Sequence, residues 1–403
     1  VVLEHGDREC RFNACSGTSL GIFRPPAGLK AQREDRIRMP KGEPAAIHTD
    51  FNSVDALRGD EEKLNKAMDL AASRTGRGGL VELYMCCAPM IVAGDISAVT
   101  DRASREKGAE VLVEDYNDYN QVTPGKVKAR ARFIARKLKA AGAKKASKDI
   151  NLVGFGRHRE ALASLLSERG LSVRTPGPDF YGDILGSRLQ VLSEPDAERI
   201  EAFDSSSVKW VSPEAPYGFG RTRAWIKSLF SALGSAPGAD PGSGKALSAE
   251  MKKLSAEAAE FRVGFVVPQG EIGLLEGSSA TSMVPVIPFL CEAGFAIKLF
   301  VYAPANPGKA ALARTAFRAR IKAGKIGISF FSTPEALNKL LVSDRKLRLI
   351  FSDVTRDRRI ISAGRNVLLA SAFEPGYCGA VETTRRLLEL CRCDFNEKYL
   401  LGS

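Results

Sequence analysis

The sequence lacks any apolar run long enough to cross a membrane. No stretch approaches the roughly 18 consecutive apolar residues that a spanning helix needs, and no basic start followed by an apolar segment marks a secretory signal. The chain begins at Val1 rather than at a methionine, so we expect further residues upstream. Together these absences predict a cytoplasmic protein with no membrane partner.

Histidine is scarce as well, and its three copies, at positions 5, 48 and 158, are too scattered for a histidine-based metal site. Cysteine is present in eight copies, and the missing secretory signal argues against a disulfide framework and for a reducing compartment. Cys291 and Cys378 stand in apolar stretches and are predicted to be small buried side chains. Cys391 and Cys393 form a CxC pair that we interpret as structural.

Acidic residues are fewer than basic ones, which leaves a formal net charge of +12. Much of the excess lies between residues 126 and 148, where Lys and Arg recur with helical spacing. No aromatic platform or nucleic-acid motif accompanies this stretch, so we predict no nucleic-acid partner. A solvated helix face is the preferred interpretation, and an acidic protein partner or an anionic substrate is the alternative.

What the sequence does contain is a repeated alternation of short β-like runs and amphipathic helical stretches. Over 403 residues this pattern predicts an α/β fold of three tandem Rossmann-like domains with mainly parallel sheets. The first domain is placed at residues 1–148 and contains Cys10 and Cys87, and the second is placed at 149–234. A segment rich in Pro, Gly and Ser predicts a linker at 235–247, and the third domain follows at 248–403.

Individual elements follow from local patterns. Leu80–Met85 is predicted to be a strand, and 95–107 a helix that ends before Gly108. A single helix is predicted over 57–73. The turn at 154–156 lacks the third glycine of a dinucleotide fingerprint, so nucleotide binding there is disfavoured.

Two cysteines stand at the ends of predicted strands. The strand that begins at Val1 runs into a tight turn before Cys10, and the strand from Leu80 ends at Cys86 and Cys87. In open α/β sheets, ligands sit outside the carboxyl ends of the strands, so two such cysteines can point at one object. Thiolates suit iron-sulfur clusters, and a four-iron cluster needs four ligands. Spacing alone leaves open the alternative that both are buried free thiols.

The surroundings of these cysteines resemble those of the nitrogenase component 1 superfamily. His5-Gly6-x-x-x-Cys10 is similar to the family's first cluster motif, His-Gly-Pro-x-Gly-Cys, with Asp7 in place of the proline and Glu9 in place of the second glycine. Residues 87–96, which begin at Cys87, are similar to the family's Cys-x4-Ile-Gly-Asp/Glu-Asp-Ile segment. Shorter similarities follow in the family's order, at 48–51, 58–64, 151–154, 216–222 and 373–380.

The resemblance implies a homodimer, or a dimer with a homologous second subunit, that shares an iron-sulfur cluster (4Fe-4S or larger) between subunits. Cys10 and Cys87 fall at the metal-ligand positions. An ATP-dependent iron-sulfur reductase would dock over the cluster and deliver single electrons, so that ATP is used by this partner and not by the present chain. The implied activity is that of a catalytic-component subunit of a nitrogenase-like oxidoreductase.

Departures from the family pattern limit the type of family member that this chain is expected to be. Nitrogenase subunits carry a third cluster cysteine in the region that corresponds to 30–45, and this chain has none there. It also has no cysteine at 200–215 and no histidine in its last third, where an α-type subunit would hold its molybdenum-iron cofactor. The two-cysteine pattern is similar to that of the homodimeric reductase that acts on a nickel tetrapyrrole, so a tetrapyrrole is the expected substrate.

Three alternatives remain. The chain is a β-type subunit of a nitrogenase or of a carbon-sulfur-bond reductase, a scaffold for metallocluster assembly, or a nucleotide-sugar-type α/β enzyme without metal.

Five other residues are further candidates for the site. Cys15, Asp7 and Cys86 lie close in sequence to the two ligand positions. Cys86 should face the opposite side of its strand from Cys87 and belong to the core, and Asp7 is more simply a turn residue. Glu374 and Tyr377 are candidates for lining a pocket and donating protons, with packing of their loop on the third domain as the alternative.

Overall fold

The computed structural model describes residues 1–6, 46–92, 95–115, 124–141, 149–155, 158–174, 180–193, 197–236, 243–267, 284–302, 326–352 and 357–399. Helices alternate with strands along the chain. The strands of a four-stranded sheet and of a five-stranded sheet pair in parallel. The predicted α/β class with mainly parallel sheets is therefore confirmed. The chain divides into two compact units, Val1–Arg159 with Val173–Trp210, and Glu160–Ser172 with Val211–Ser403. The division into three domains stays a prediction.

The first sheet has the strand order β2-β1-β3-β4. Its strands are β1 (Val2–His5), β2 (Ala46–His48), β3 (Leu80–Met85) and β4 (Glu110–Asp115). In the register of β1 and β3, His5 lies opposite Met85. Since β2 pairs on one side of β1 and β3 on the other, the strand order reverses between β1 and β3. Such a reversal is the usual position of a ligand in an open parallel sheet.

Helices follow the strands of this sheet. They are α1 (Ser53–Arg58), α2 (Glu61–Thr75), α3 (Cys87–Val92) and α4 (Ile96–Lys107). The side chain of Asp95 caps α4 by accepting from the Ala98 N–H at 2.9 Å, and Gly108 ends the helix in the left-handed conformation. Both ends of α4 were predicted from the sequence.

The prediction of one helix over 57–73 is wrong, because the structure has two. Asn52 and Asp55 form a reciprocal capping box that begins α1 before the predicted start. Gly59, with φ +85° and ψ 156°, then ends α1, in a conformation that other residues rarely adopt. The chain restarts as α2 only after Asp60.

The core beneath the first sheet is apolar on the side of α2. Leu64 and Met68 lie one turn apart on α2, are fully buried, and belong to the same hydrophobic cluster as Leu3, Val81 and Leu83. Full burial of a side chain of this size contributes about 1.5–3 kcal/mol. This packing fixes α2, and with it Asp60, against the sheet.

The second sheet has the order β5-β6-β7. In chain order, the elements between residues 124 and 211 are α5 (Pro124–Ala141), β5 (Ile150–Val153), α6 (Arg159–Ser167), α7 (Phe180–Gly186), β6 (Leu189–Leu192), α8 (Ala197–Ser205) and β7 (Trp210–Val211). Val173 adds a single parallel bridge to Ile150.

The basic helix α5 is only partly the solvated face that was predicted. Arg132 is exposed and donates to Glu110. Arg130, by contrast, is 8% exposed, and it donates to the carboxylates of Glu82 and Glu198 at 2.7 Å each. Burial by itself lowers the pKa of Arg130, but the two carboxylates outweigh it and raise that pKa, so the guanidinium stays charged.

The second unit contains a parallel sheet of order β10-β9-β8-β11-β12. Its elements are α9 (Phe219–Ala232), α10 (Ser243–Ala258), β8 (Arg262–Val267), α11 (Val286–Glu292), β9 (Ala296–Tyr302), β10 (Ile326–Phe331), α12 (Pro334–Ser343), β11 (Leu347–Phe351), α13 (Arg358–Ser362), β12 (Asn366–Leu368), a 3-10 turn (Ala370–Ala372), α14 (Gly376–Arg392) and α15 (Phe395–Tyr399). Helix α10 begins at Ser243, five residues before the predicted start of the third domain.

Candidate metal centre

The carboxyl ends of β1 and β3 lie side by side at the first sheet's reversal point. The Cys86 N–H donates to the His5 carbonyl at 3.0 Å, which extends the pairing of the two strands by one residue. The residue immediately before Cys87 is thereby hydrogen-bonded to the residue five positions before Cys10. The two segments that carry the predicted ligands therefore depart from neighbouring points of one sheet edge.

Cys86 and Cys87 follow the end of β3 and have opposite environments. Cys86 is 3% exposed, and its Sγ lies 4.0 Å from Glu4 Oε1. Cys87 is exposed and is the first residue of α3. The prediction that Cys86 belongs to the core is confirmed, and Cys87 is the thiol that is open to a ligand.

Cys10, Cys15 and Asp7 lie outside the described residues. The last described residue before them is Gly6, which is buried. Its amide donates to Thr49 Oγ1 at 3.3 Å, and its carbonyl accepts from the Phe51 N–H at 2.8 Å. The point from which the chain leaves for Cys10 is therefore held on both sides of Gly6.

A buried polar group lies directly under this point. We call His5, Gly6, Thr49 and Asp60 the His5 network. His5 is fully buried, with Nε2 at 2.6 Å from Asp60 Oδ2 and Nδ1 at 2.9 Å from Thr49 Oγ1. Burial lowers the pKa of His5 and outweighs the attraction of Asp60, which by itself would raise that pKa. The net effect favours the neutral imidazole.

The opposite face of β1 carries a second polar group. Glu4 is 3% exposed, and its Oε2 lies 2.9 Å from Nδ1 of His48, while its Oε1 faces Cys86. The sheet edge beside Cys87 is thus bordered on both faces by buried polar side chains rather than by dry apolar packing.

Glu374 and Tyr377 lie at the start of α14 in the second unit. Tyr377 is 5% exposed; its ring is 5.1 Å from that of Phe219, and the Arg169 guanidinium is 5.5 Å from its centroid. The Glu374 N–H donates to Thr383 Oγ1 at 2.9 Å. These contacts favour the packing interpretation over a proton-donating pocket.

The remaining described cysteines give no metal cluster. Cys391 is buried, Cys291 is half-buried, and Cys378 and Cys393 are exposed. The prediction that Cys378 is buried is wrong, because it falls on the outer face of α14 while its neighbour Tyr377 turns inward. Across the part of the chain that the structure describes, no three His, Cys, Asp or Glu side chains form a metal-binding group.

Nothing in the spacing of residues 5, 49 and 60 indicated that they meet. Their meeting depends on the parallel pairing of β1 with β2 and on the seating of α2, both of which are long-range. The local signal was limited to two polar residues, Glu4 and His5, at the end of a strand that begins with Val2 and Leu3.

No helix in the described ranges is long and apolar enough to span a bilayer. A search of curated proteins finds no match to the sequence. Two solved structures, of nitrogenase Cp1 at pH 5 and at pH 6.5, are similar to this chain, with TM-scores of 0.58 and 0.59. Each match covers 100% of this chain, and the two matches cover 86% and 87% of the respective nitrogenase chains. At 13% identity in both cases, this likeness shows a shared fold. The family model described as nitrogenase component 1 type oxidoreductase matches residues 3–340, so this chain belongs to that family.

Proposed function

We propose that this chain is a subunit of the catalytic component of a nitrogenase-like, ATP-dependent two-component reductase. Cys10 and Cys87 would hold part of an iron-sulfur cluster, and a tetrapyrrole is the proposed substrate. The observation that carries this proposal is the adjacency of the carboxyl ends of β1 and β3, where Cys86 bonds to His5 and Cys87 is exposed. When bound, the cluster would accept and pass on single electrons.

The donor chemistry of this edge fits such a cluster. Thiolate is the usual protein ligand of iron-sulfur clusters, and Cys87 presents its thiol outside the sheet rather than in the core. Two thiolates from one chain are half of the four that a four-iron cluster needs, so the remaining two are assigned to a second copy or a homologous chain.

An apolar surface beside Cys87 supports the second subunit. Helix α1 has no buried residue and is in contact with α3. Val54 and Leu57 on α1 are 53% and 87% exposed, and Ile91 on α3 is 83% exposed. Large apolar side chains grouped in this way on a surface mark an interaction site. We call Val54, Leu57 and Ile91 the α1–α3 patch and assign it to the subunit that shares the cluster.

The decisive experiment is anaerobic purification followed by iron, sulfide and native-mass analysis. A symmetric dimer that shares one four-iron cluster would give about two irons per chain. Cys87→Ser should lose most of this iron. Cys393→Ser, which changes another exposed cysteine in the second unit, should keep it.

A colourless, iron-free wild-type preparation would refute the proposal, as would normal iron in Cys87→Ser. The reductase and scaffold interpretations differ in what happens to the cluster. A reductase turns over electrons when it is given its iron-sulfur partner and ATP, whereas a scaffold releases its cluster once to an acceptor apoprotein.

A further inference from the structure

The His5 network has a defined hydrogen-bond direction. An ionised Asp60 carboxylate only accepts, so His5 Nε2 carries the proton that lies between them. A neutral imidazole then has an unprotonated Nδ1, which accepts from the Thr49 hydroxyl. The oxygen of that hydroxyl is left to accept the Gly6 N–H. The chain of donors therefore runs from Gly6 through Thr49 and His5 to Asp60.

This geometry has the components of a nucleophilic triad, namely a carboxylate, a histidine and a hydroxyl. Burial argues against that use. His5 is 0% exposed, Thr49 6% and Asp60 4%. In the part of the chain that the structure describes, the Thr49 hydroxyl is therefore covered by protein and is not open to a substrate. The network also uses Asp60 in an unusual way. Asp60 stands at the N-cap of α2 but makes no capping bond with its side chain, because the carboxylate is turned to His5.

We propose that the His5 network is a positioning device for the metal centre. It fixes the place and direction in which the backbone leaves β1 at Gly6, relative to the end of β3 at Cys86. This inference rests on the proposed function and adds His5, Thr49 and Asp60 to it as positioning residues that do not themselves touch the cluster.

The length of the departing segment explains why such fixing matters. The four residue-to-residue steps from Gly6 to Cys10 span at most about 14 Å. A covalent connection this short ties the position of Cys10 to the place and direction in which the backbone leaves Gly6. Functional groups need to be held to within about 0.5 Å, so the thiol of Cys10 depends on how firmly Gly6 is held.

Thr49 provides the sharpest test, because two substitutions separate its hydroxyl from its shape. Thr49→Val keeps the shape and removes the hydroxyl that bonds His5 and Gly6, whereas Thr49→Ser keeps the hydroxyl. Both proteins are purified anaerobically as full chains, and the rate of iron loss to a chelator and the electron paramagnetic resonance spectrum of the reduced cluster are measured. We expect Thr49→Val to lose iron on the order of 10-fold faster than wild type and to show a shifted spectrum, and Thr49→Ser to match wild type.

A matched control distinguishes a positioning role of Thr49 from a general contribution to stability. Thr384 is also fully buried, lies in the second unit, and donates its hydroxyl to the Ala380 carbonyl at 2.8 Å. Thr384→Val should leave the rate of iron loss and the spectrum unchanged, even if it lowers the melting temperature as much as Thr49→Val does.

The outcomes distinguish this inference from the function on which it rests. If the wild-type protein holds no iron, the proposed function fails. If the wild type holds iron and Thr49→Val matches Thr49→Ser in iron loss and spectrum, the function stands and the positioning role is overturned. Equal effects of Thr49→Val and Thr384→Val would overturn it as well.

Discussion

Replacing Arg130 by methionine should destabilise the first unit severely. The guanidinium is buried between two carboxylates, at 2.7 Å from Glu82 Oε1 and from Glu198 Oε1. The Oε2 of Glu82 is buried and accepts no hydrogen bond from the described residues, so Arg130 is the described cation that is hydrogen-bonded to Glu82. Removal of Arg130 takes from both buried carboxylates the guanidinium that donates to them. Breaking a buried ion pair from one side costs about 3–5 kcal/mol, and we expect a loss in that range.

The assay uses the two tryptophans, which report on different units. Trp210 lies in the first unit and Trp225 in the second. In a Trp225→Phe background, urea unfolding followed by fluorescence therefore reports the first unit. The control is Arg132→Met, because the Arg132 side chain is 62% exposed and its pair with Glu110 should contribute less than about 1 kcal/mol.

Replacing both carboxylates tests whether their buried charge causes the loss of stability in Arg130→Met. Glu82→Gln and Glu198→Gln, introduced together with Arg130→Met, should restore about half of the lost stability or more, because no uncompensated charge then remains buried. An Arg130→Met protein that unfolds at the same urea concentration as Arg132→Met would refute the reasoning, since the ion pair would then be no more costly to break than a surface pair.

Two further predictions concern the proposed interface and the backbone. Leu57→Asp, in the α1–α3 patch, should convert the assembly to monomers in native mass spectrometry, whereas Val342→Asp, at a 41% exposed position on α12, should not; an intact dimer in both variants would contradict the interface. Gly294→Ala should cost about 2–5 kcal/mol, because φ is +94° and the new Cβ would lie 2.4 Å from the rigid Ser255 carbonyl oxygen. Gly234→Ala, with φ +68° and open space around it, should cost about 1 kcal/mol. Both variants are measured by urea unfolding followed through Trp225, which lies in the same unit as the two glycines, and equal losses would contradict the predicted collision at Gly294.

Local patterns were sufficient for the α/β class and for many element positions. The strand Leu80–Met85 and both ends of α4 follow from alternation, an N-cap and a left-handed glycine, which depend only on near neighbours. The break at Gly59 was missed because the apolar spacing continues across it. Apolar periodicity does not show that a single glycine adopts a non-helical backbone conformation and ends the helix.

The candidate site was predictable only as two cysteines at strand ends. That both strand ends lie at the reversal of the sheet order depends on which strands pair, and pairing joins residues that are about 80 positions apart. The burial of Arg130 was also missed, because its two carboxylates come from elements distant in sequence and no local charge pattern marks them.

The sequence by itself determined the α/β class, the positions of many strands and helices, the residue types available for metal binding, and the family. Only the tertiary structure decided that Arg130 is buried between two carboxylates, and that His5, Thr49 and Asp60 share one network. The physical reason is range. Secondary structure depends on periodicities of two and 3.6 residues along the chain, whereas burial and hydrogen-bond partners depend on contacts between segments that the chain order does not specify.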